Sequence, residues 1–523
     1  MTGTTPRSEW TLLKALVRER RLTVQETLGA LERRAQQMGE RGYALSDRQL
    51  RRWLAGDVSS LDGARPANVR VAEAEFGWPI DLLLVADKRP QSRPEWSPRS
   101  AEIRELRTND FISWLASHSA LDFEETYRLV AGATDELAVT PPVVRATREH
   151  ARSQFGRESI AETVAEYYGS SAPFYRARVG GRLLRLSVLT DHDWTGLSLA
   201  LGGADENCPP PSHRDGPALY LGEHQVRVAV ERLAEAEVND TVMINNPLYR
   251  LSGIDIDDSH LSARFECTDF AAYALTADLL ETELRDRAPR RLQREPVLMP
   301  LRDAWLPTVA SGLAFEDRIC VGGAVCLVAI ADGEQYQLLV QERSNQVVNV
   351  TGALAGIPKA FHQPIVDAYG ETRISTTVER EMEEELLGRP DLEQRSGVHL
   401  PRAAPLHPLN ASPPMAWLRA HPDAWRIECT GFGVNMLTGT YEFACLVVID
   451  DPTWWSTFCH LLEANWEAVR LRRYSSLDHD GVLHLMDDPR WSNEGLFAFV
   501  EGIRRLGELN SSCVRLPVIE RVS

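Results

Sequence analysis

The spacing of apolar residues divides the chain into three regions. Over the first 87 residues, apolar positions recur at helical spacing, and the same pattern returns from about 100 to 168. From 175 to about 291, strand-like and helical runs alternate, starting with two strand-like segments around Gly180-Gly181, a hairpin signal. Beyond Pro296, strand-like segments surround a charged helix near 376–387 and precede a final helix near 494–506. The pattern predicts an all-α first domain, an α+β middle region and a C-terminal sheet covered by helices.

The chain is too long, at 523 residues, to fold around a single hydrophobic core. Two prolines, Pro90 and Pro94, interrupt the helical pattern and indicate a linker. We therefore expect a first domain over 1–87, a linker over 88–99, a middle region of unknown role over 100–300 and a last domain over 301–523.

Two capped helices are predicted in the first domain. Thr23 with Glu26 forms a capping box at the start of one helix, and Ser46 with Gln49 repeats it at the start of a helix from Asp47 to Leu54. In the second helix, one arc is apolar and the opposite arc is basic. Guanidinium groups suit DNA phosphates and the acceptor edge of guanine, so the arginines of the basic arc are the predicted DNA contacts: Arg48, Arg51 and Arg52.

Charge points to the same end of the chain. The net charge is −18, yet residues 1–90 hold 15 basic and 12 acidic residues and carry +3.

The order of helices, with Arg-Trp-Leu-Ala-Gly at 52–56, resembles the helix-turn-helix domains of phage-repressor-type bacterial regulators. The link from Met38 to Leu45 is longer than their usual turn. The resemblance implies transcription regulation with DNA as partner, and a homodimer, since operators are commonly palindromic. The alternative is a solvated helix in a protein-interaction domain.

An acidic helix is predicted near residue 376. Val378, Met382 and Leu386 form its apolar stripe, and an arc of carboxylates lies beside that stripe: Glu381, Glu384 and Glu385. Acids gathered in this way repel one another unless a hard divalent cation accepts their oxygens, and magnesium is the natural candidate. Such an ion could polarise the phosphate of a nucleotide. The alternative is a solvated acidic helix face.

This segment looks like the second half of the Nudix box, GX5EX7REUXEEXGU, where U is aliphatic: it reads Arg380-Glu381-Met382-x-Glu384-Glu385. The resemblance implies an α/β/α Nudix-like C-terminal domain. It also implies that Glu384 and Glu385 bind Mg²⁺ with Glu381 adding to the shell, and that Arg380 orients a glutamate by an ion pair. If the domain is active, these four residues are its catalytic set.

A second resemblance concerns the only lysine after residue 88. The stretch Ile357 to His362 is similar to the proline-lysine-glycine-histidine stretch of the diadenosine polyphosphate hydrolase branch, which implies that Lys359 lies near a ligand phosphate. Glu442 and Glu467 are the candidates for a general base.

The first half of the box departs from the pattern. The box glutamate falls on Thr372, the first glycine on Val366 and the terminal glycine on Leu387, while Glu371 and Gly388 each lie one residue away. Either a small insertion restores the box, or the loop no longer positions water and metal.

We therefore predict a DNA-binding transcriptional regulator whose Nudix-like domain senses a nucleotide-derived small molecule. The alternatives are a Mg²⁺-dependent Nudix hydrolase of nucleoside diphosphate derivatives and a non-catalytic interaction scaffold. The eight cysteines form no C-x-x-C pair, and the longest apolar stretch, Val321 to Ala331, is too short to span a bilayer, so a cytoplasmic location without membrane partners is expected.

Overall fold

The computed structural model describes most of the chain between Trp10 and Val522. The described residues are 10–11, 13–14, 17, 23–40, 42–55, 65–76, 80–84, 86–87, 98–140, 156–211, 217–239, 241, 243–257, 259–291, 298–343, 353–365, 368–387, 412–462, 468–509 and 512–522. Most of the predicted linker, together with Val366, Gly388 and Glu467, lies outside them. The chain forms two compact units, one of Met1–Ile103 with Pro141–Thr147 and one of Arg104–Thr140 with Arg148–Ser523.

The first unit is not all-α, so that part of the predicted fold class was wrong. Two short strands, β1 and β2, pair antiparallel through Trp10↔Asp87 and Thr11↔Ala86, so no separate all-α helix-turn-helix domain is evident among the residues described here. Local spacing could not reveal this pairing because its partners are far apart in sequence. The helices of this unit share one core that includes Leu28, Leu50 and Trp53. The elements are β1 Trp10–Thr11, α1 Val24–Met38, α2 Asp47–Ala55, α3 Pro66–Phe76, α4 Ile80–Leu84 and β2 Ala86–Asp87.

A mixed sheet of eleven strands forms the centre of the second unit. The strand order is β11-β10-β9-β14-β13-β4-β3-β16, while β12 pairs with β9, β15 with β10 and β5 with β13. Only β9 and β14 run parallel among the pairs of this sheet in the described residues. A smaller sheet has the order β6-β8-β7. The strands are β3 Phe174–Val179, β4 Arg182–Leu189, β5 Thr195–Ala200, β6 Glu206–Asn207, β7 Pro247–Ile256, β8 Leu261–Asp269, β9 Gly322–Asp332, β10 Gln335–Arg343, β11 Leu354–Ala355, β12 Lys359–Phe361, β13 Trp425–Asn435, β14 Thr440–Ile449, β15 Ala468–Ser475 and β16 Ile519–Arg521.

The large sheet corrects the rest of the predicted fold class. An α+β middle region beside a separate α/β/α Nudix-like domain was expected, but strands from both parts of the chain belong to one sheet. Val434↔Leu189 and Asn435↔Val188 join β13 to β4. This pairing satisfies backbone groups that an isolated sheet edge would leave open. The observed fold is mixed α/β, with one sheet built from both regions.

Helices cover both faces of the large sheet. The helical segments of this unit are α5 Pro98–Ser117 (which begins in the first unit), α6 Phe123–Val139, α7 Arg157–Tyr168, α8 Glu223–Val238, α9 Phe270–Ala272, α10 Leu279–Arg291, α11 Pro300–Trp305, α12 Val309–Leu313, α13 Ile374–Glu381, α14 Pro413–Ala420, α15 Pro452–Phe458, α16 His479–Met486 and α17 Asn493–Leu509.

Strand β9 shows how the two faces are separated. Ala324, Cys326 and Val328 belong to one core cluster, which contains the apolar residues of α13. Val325 and Leu327 belong to a second cluster, which contains those of α17. Because successive side chains of a strand point to opposite faces, α13 and α17 lie on opposite sides of β9. Burial on both faces explains the unbroken apolar run that the sequence shows there.

Candidate functional site

The acidic helix α13 is held at its start by a residue from the middle region. Ser375 donates two hydrogen bonds to the Glu206 carboxylate, one from its backbone N–H at 3.1 Å and one from its hydroxyl at 2.7 Å. After Glu381, the helix continues as a π-helical turn, Met382–Leu386. A π turn holds more residues than an α turn, so later residues are displaced from the register that an α-helix would give them.

Arg380 links this helix to the loop before it. Its buried guanidinium donates to Glu381 Oε1 at 3.1 Å and to the Gln363 carbonyl at 3.0 Å, and lies 4.0 Å from Glu371 Oε2. Glu371 also accepts the backbone N–H of Ile365 at 2.7 Å. Thr372, at the counted box position, instead donates to the Cys208 carbonyl. Glu371, and not Thr372, therefore lies beside Arg380.

The carboxylates of the predicted metal site are buried rather than solvated. Glu381 and Glu384 are each 7% exposed and Glu385 is 1% exposed. Glu385 accepts the Lys359 backbone N–H at 3.1 Å and the Gln341 amide at 3.4 Å. The alternative of a solvated acidic face does not describe these three residues.

Other acids of the same segment point toward α14. Glu383 accepts the backbone N–H of Ser412 at 3.0 Å. Burial raises the pKa of Glu379, and the nearby charge of Arg419, 3.3 Å away, opposes that rise. The acidic side chains of α13 and of the π turn that follows it therefore point in several directions.

In the described conformation, the predicted magnesium ligands are not gathered into one group of acids. Among the described residues, no three His, Cys, Asp or Glu side chains form a group suited to hold a metal ion. Glu381 and Glu385 are engaged by Arg380, Lys359 and Gln341. A Mg²⁺ ion bound to Glu385 would compete with these donors for the carboxylate oxygens.

Lys359 directs its charge away from the α13 carboxylates. Its backbone meets Glu385, but its ammonium pairs at 2.5 Å with Glu494 Oε1, in the first turn of α17. Glu494 Oε2 also accepts the Asn435 amide at 3.2 Å. The Lys359 ammonium, predicted to lie near phosphate, therefore contacts Glu494 and not the predicted metal ligands.

Glu442, one of the two candidate general bases, lies beside this ion pair. It accepts the Thr440 hydroxyl at 2.8 Å. Burial first, and then the charge of Glu494, raise the pKa of Glu442 to about 8, against the opposing effect of Lys359. Burial opposes ionisation of Glu494, but the charge and hydrogen bond of Lys359 keep its pKa below the usual value. The raised pKa favours the protonated form of Glu442.

The predicted DNA contacts lie in the first unit, on α2. Arg48, Arg51 and Arg52 are exposed. Arg51 pairs with Asp47 on the same helix. On the other side of α2, the core residues are at most 9% exposed: Leu50, Trp53 and Leu54.

Sequence reasoning missed the polar partners supplied by distant strands and loops. Glu206, Gln341 and Asn435 each contact residues that the motifs had singled out, or their partners. Glu494 is also among the missed residues, and its place in the first turn of the last predicted helix was its only sequence signal. An acid at that position commonly serves the helix end alone.

No protein-family model matches the chain, and a search of curated proteins found no similar sequence. Within the described part of the chain, helices long and apolar enough to cross a membrane are absent.

Proposed function

We propose that this protein is a DNA-binding transcriptional regulator that senses a nucleotide-derived small molecule. The observation that carries the proposal is the contrast between the two sides of α2. Leu50 and Trp53 are 0% and 2% exposed, whereas Arg48, Arg51 and Arg52 face solvent. A short helix anchored by a buried face and presenting several guanidinium groups is suited to contact phosphates and guanine in a DNA groove.

The ligand would bind near α13 in the second unit. Support comes from Arg380, which fixes both the helix and the preceding loop, and from the buried polar groups of Gln341 and Glu385. Because protein donors already engage Glu381 and Glu385, recognition is favoured over metal-dependent hydrolysis. Ligand binding would regulate DNA binding if the ligand prefers one conformation of the protein.

The DNA arm is tested with the full-length protein and a random-sequence duplex, measuring affinity over a range of salt concentrations. We expect Arg48→Ala and Arg52→Ala each to weaken binding. Each should also make the negative slope of log K against log salt shallower, by about 1 per lost phosphate contact. Arg70→Ala is the matched control, since Arg70 is exposed in the same unit and pairs with Glu40. If all three variants and the wild type have the same DNA affinity and salt dependence, α2 does not contact DNA.

The ligand arm uses UDP-glucose, diadenosine tetraphosphate and NAD, with and without Mg²⁺, in calorimetric binding and product assays. Binding without turnover supports a sensor. Turnover that Glu384→Gln and Glu385→Gln abolish would identify a magnesium-dependent hydrolase instead. Failure to bind both DNA and nucleotides would favour the interaction scaffold.

A further inference from the structure

Residues 201–208 of the middle region contact the start of α13 at three points. Glu206 accepts both Ser375 groups, Thr372 Oγ1 donates to the Cys208 carbonyl at 2.7 Å, and Arg373 donates to the Gly202 carbonyl at 3.2 Å. These bonds join parts of the chain that are 164 to 171 residues apart. The contact therefore belongs to the tertiary structure and not to a local cap.

Glu206 is the centre of this contact. It is 2% exposed, and its oxygens also accept the backbone N–H of Gly202 at 2.7 Å. A buried carboxylate needs several donors to offset the loss of water, and Glu206 has three. Its charge also lies at the N-terminal end of α13, where the helix dipole favours an anion.

The same region holds the loop that precedes α13. Tyr249 of β7 donates its backbone N–H to the His362 carbonyl at 2.9 Å and its hydroxyl to the Ala368 carbonyl at 2.8 Å. Glu206 itself lies in β6, which pairs with β8 of the small sheet at Glu206↔Leu261. The small sheet thus reaches both the loop before α13 and the first turn of the helix.

From these contacts, we infer that Glu206 is a positioning residue that lets the middle region hold α13 and its preceding loop in the ligand-binding arrangement. The inference rests on the proposed function for the identity of the ligand. The support that Glu206 gives to α13 does not depend on that function. It assigns a role to residues 201–208: they support the site without touching the ligand. Removal of the Glu206 charge should loosen the first turns of α13, and ligand affinity should fall because the site must then be ordered on binding.

The experiment compares Glu206→Gln with Glu501→Gln in the full-length protein. Glu501 is a matched control because it is fully buried and also accepts three donors, the Tyr175 hydroxyl, the Gly196 N–H and Arg504, but it lies on α17. Two readouts are used, amide hydrogen exchange over Ile374–Glu381 and the affinity for whichever of UDP-glucose, diadenosine tetraphosphate and NAD the wild type binds best.

We expect both variants to lower the melting temperature, but only Glu206→Gln to speed exchange in α13. That variant should also weaken nucleotide binding by about tenfold or more, by analogy with the loss of a hydrogen-bond partner behind a metal ligand. Glu206→Asp, which keeps the charge, should recover part of both effects. Unchanged exchange in Glu206→Gln, or equal effects of the two Gln variants on exchange and affinity, would overturn the inference.

Two further outcomes are separable. If the wild type binds none of the three nucleotides, the proposed ligand fails while the exchange comparison still decides the positioning role. If Glu206→Gln does not fold, Ser375→Ala removes only the hydroxyl donor, which lies 2.7 Å from Glu206. Faster exchange confined to α13 in that variant supports the inference, and unchanged exchange contradicts it.

Discussion

Three ionisable side chains, Lys359, Glu494 and Glu442, share a buried polar cluster on the α17 side of the large sheet. The Lys359 ammonium is paired with Glu494, and the charges of both act on Glu442. One cation cannot fully compensate two buried carboxylates, so the cluster favours a single negative charge and a proton on Glu442. The residue type alone, an acid near a lysine, did not reveal this protonation.

Glu442 should make the stability of the protein depend on pH. Its pKa is about 8 in the folded state, above the ordinary value of 4.5, so the folded state binds the proton more tightly. The resulting stabilisation is complete below about pH 4.5 and is lost as the pH rises through 8. Glu442→Gln cannot titrate, so its melting temperature should rise relative to that of the wild type between pH 5 and pH 9. If the melting temperatures of the two proteins change with pH in the same way over this range, the raised pKa of Glu442 would be contradicted.

At the scale of single elements, the hairpin between β3 and β4 was predicted correctly. Gly180 and Gly181 lie between the strands with φ of 54° and 83°, the left-handed values that a two-residue hairpin turn requires. Helix α13 shows a different outcome. Its position and apolar stripe were predicted, but the π turn at Met382–Leu386 was not, because nothing in the helical spacing marks where a helix widens.

Replacement of Gly181 should measure the strain of the turn alone. A Cβ at Gly181 would meet nothing within 4 Å, whereas one at Gly180 would come within 2.9 Å of Leu483. We expect Gly181→Ala to reduce the free energy of unfolding by about 1–2 kcal/mol, since a left-handed conformation disfavours a residue with Cβ. Gly181→Asn should lose less, because asparagine adopts that conformation more readily. Denaturant unfolding of both variants provides the measurement, and equal losses would argue against backbone strain.

At the scale of the whole molecule, the large sheet joins regions that local patterns had separated. Beside the β4–β13 ladder, Ser187 donates to Asn435 across 248 residues of sequence, and both side chains are buried. One core cluster contains residues from Phe111 to Leu462. Residues 301–523 therefore lack part of their own sheet and core when the middle region is removed.

A fragment of residues 301–523 should fail to fold by itself, because it would expose the β13 edge and the apolar residues that the middle region covers. A fragment of residues 104–523 keeps the second unit and is the control, which should remain monodisperse with cooperative unfolding. Size-exclusion chromatography and thermal circular dichroism distinguish the two. A cooperative, non-aggregating 301–523 fragment would show that the C-terminal region folds without the middle strands.

The sequence by itself determined local elements of this protein: the capping box at Thr23, the hairpin at Gly180-Gly181 and the position of the acidic helix. Caps, turns and periodic apolar faces depend on residues a few positions apart, so they can be read directly from the chain. The tertiary structure alone decided which strands share a sheet, and that Lys359 meets Glu494 at a separation of 135 residues. It also decided that Glu206 supports α13. These pairings satisfy buried backbone and charged groups only once distant segments come together, and no local pattern specifies which partners they choose.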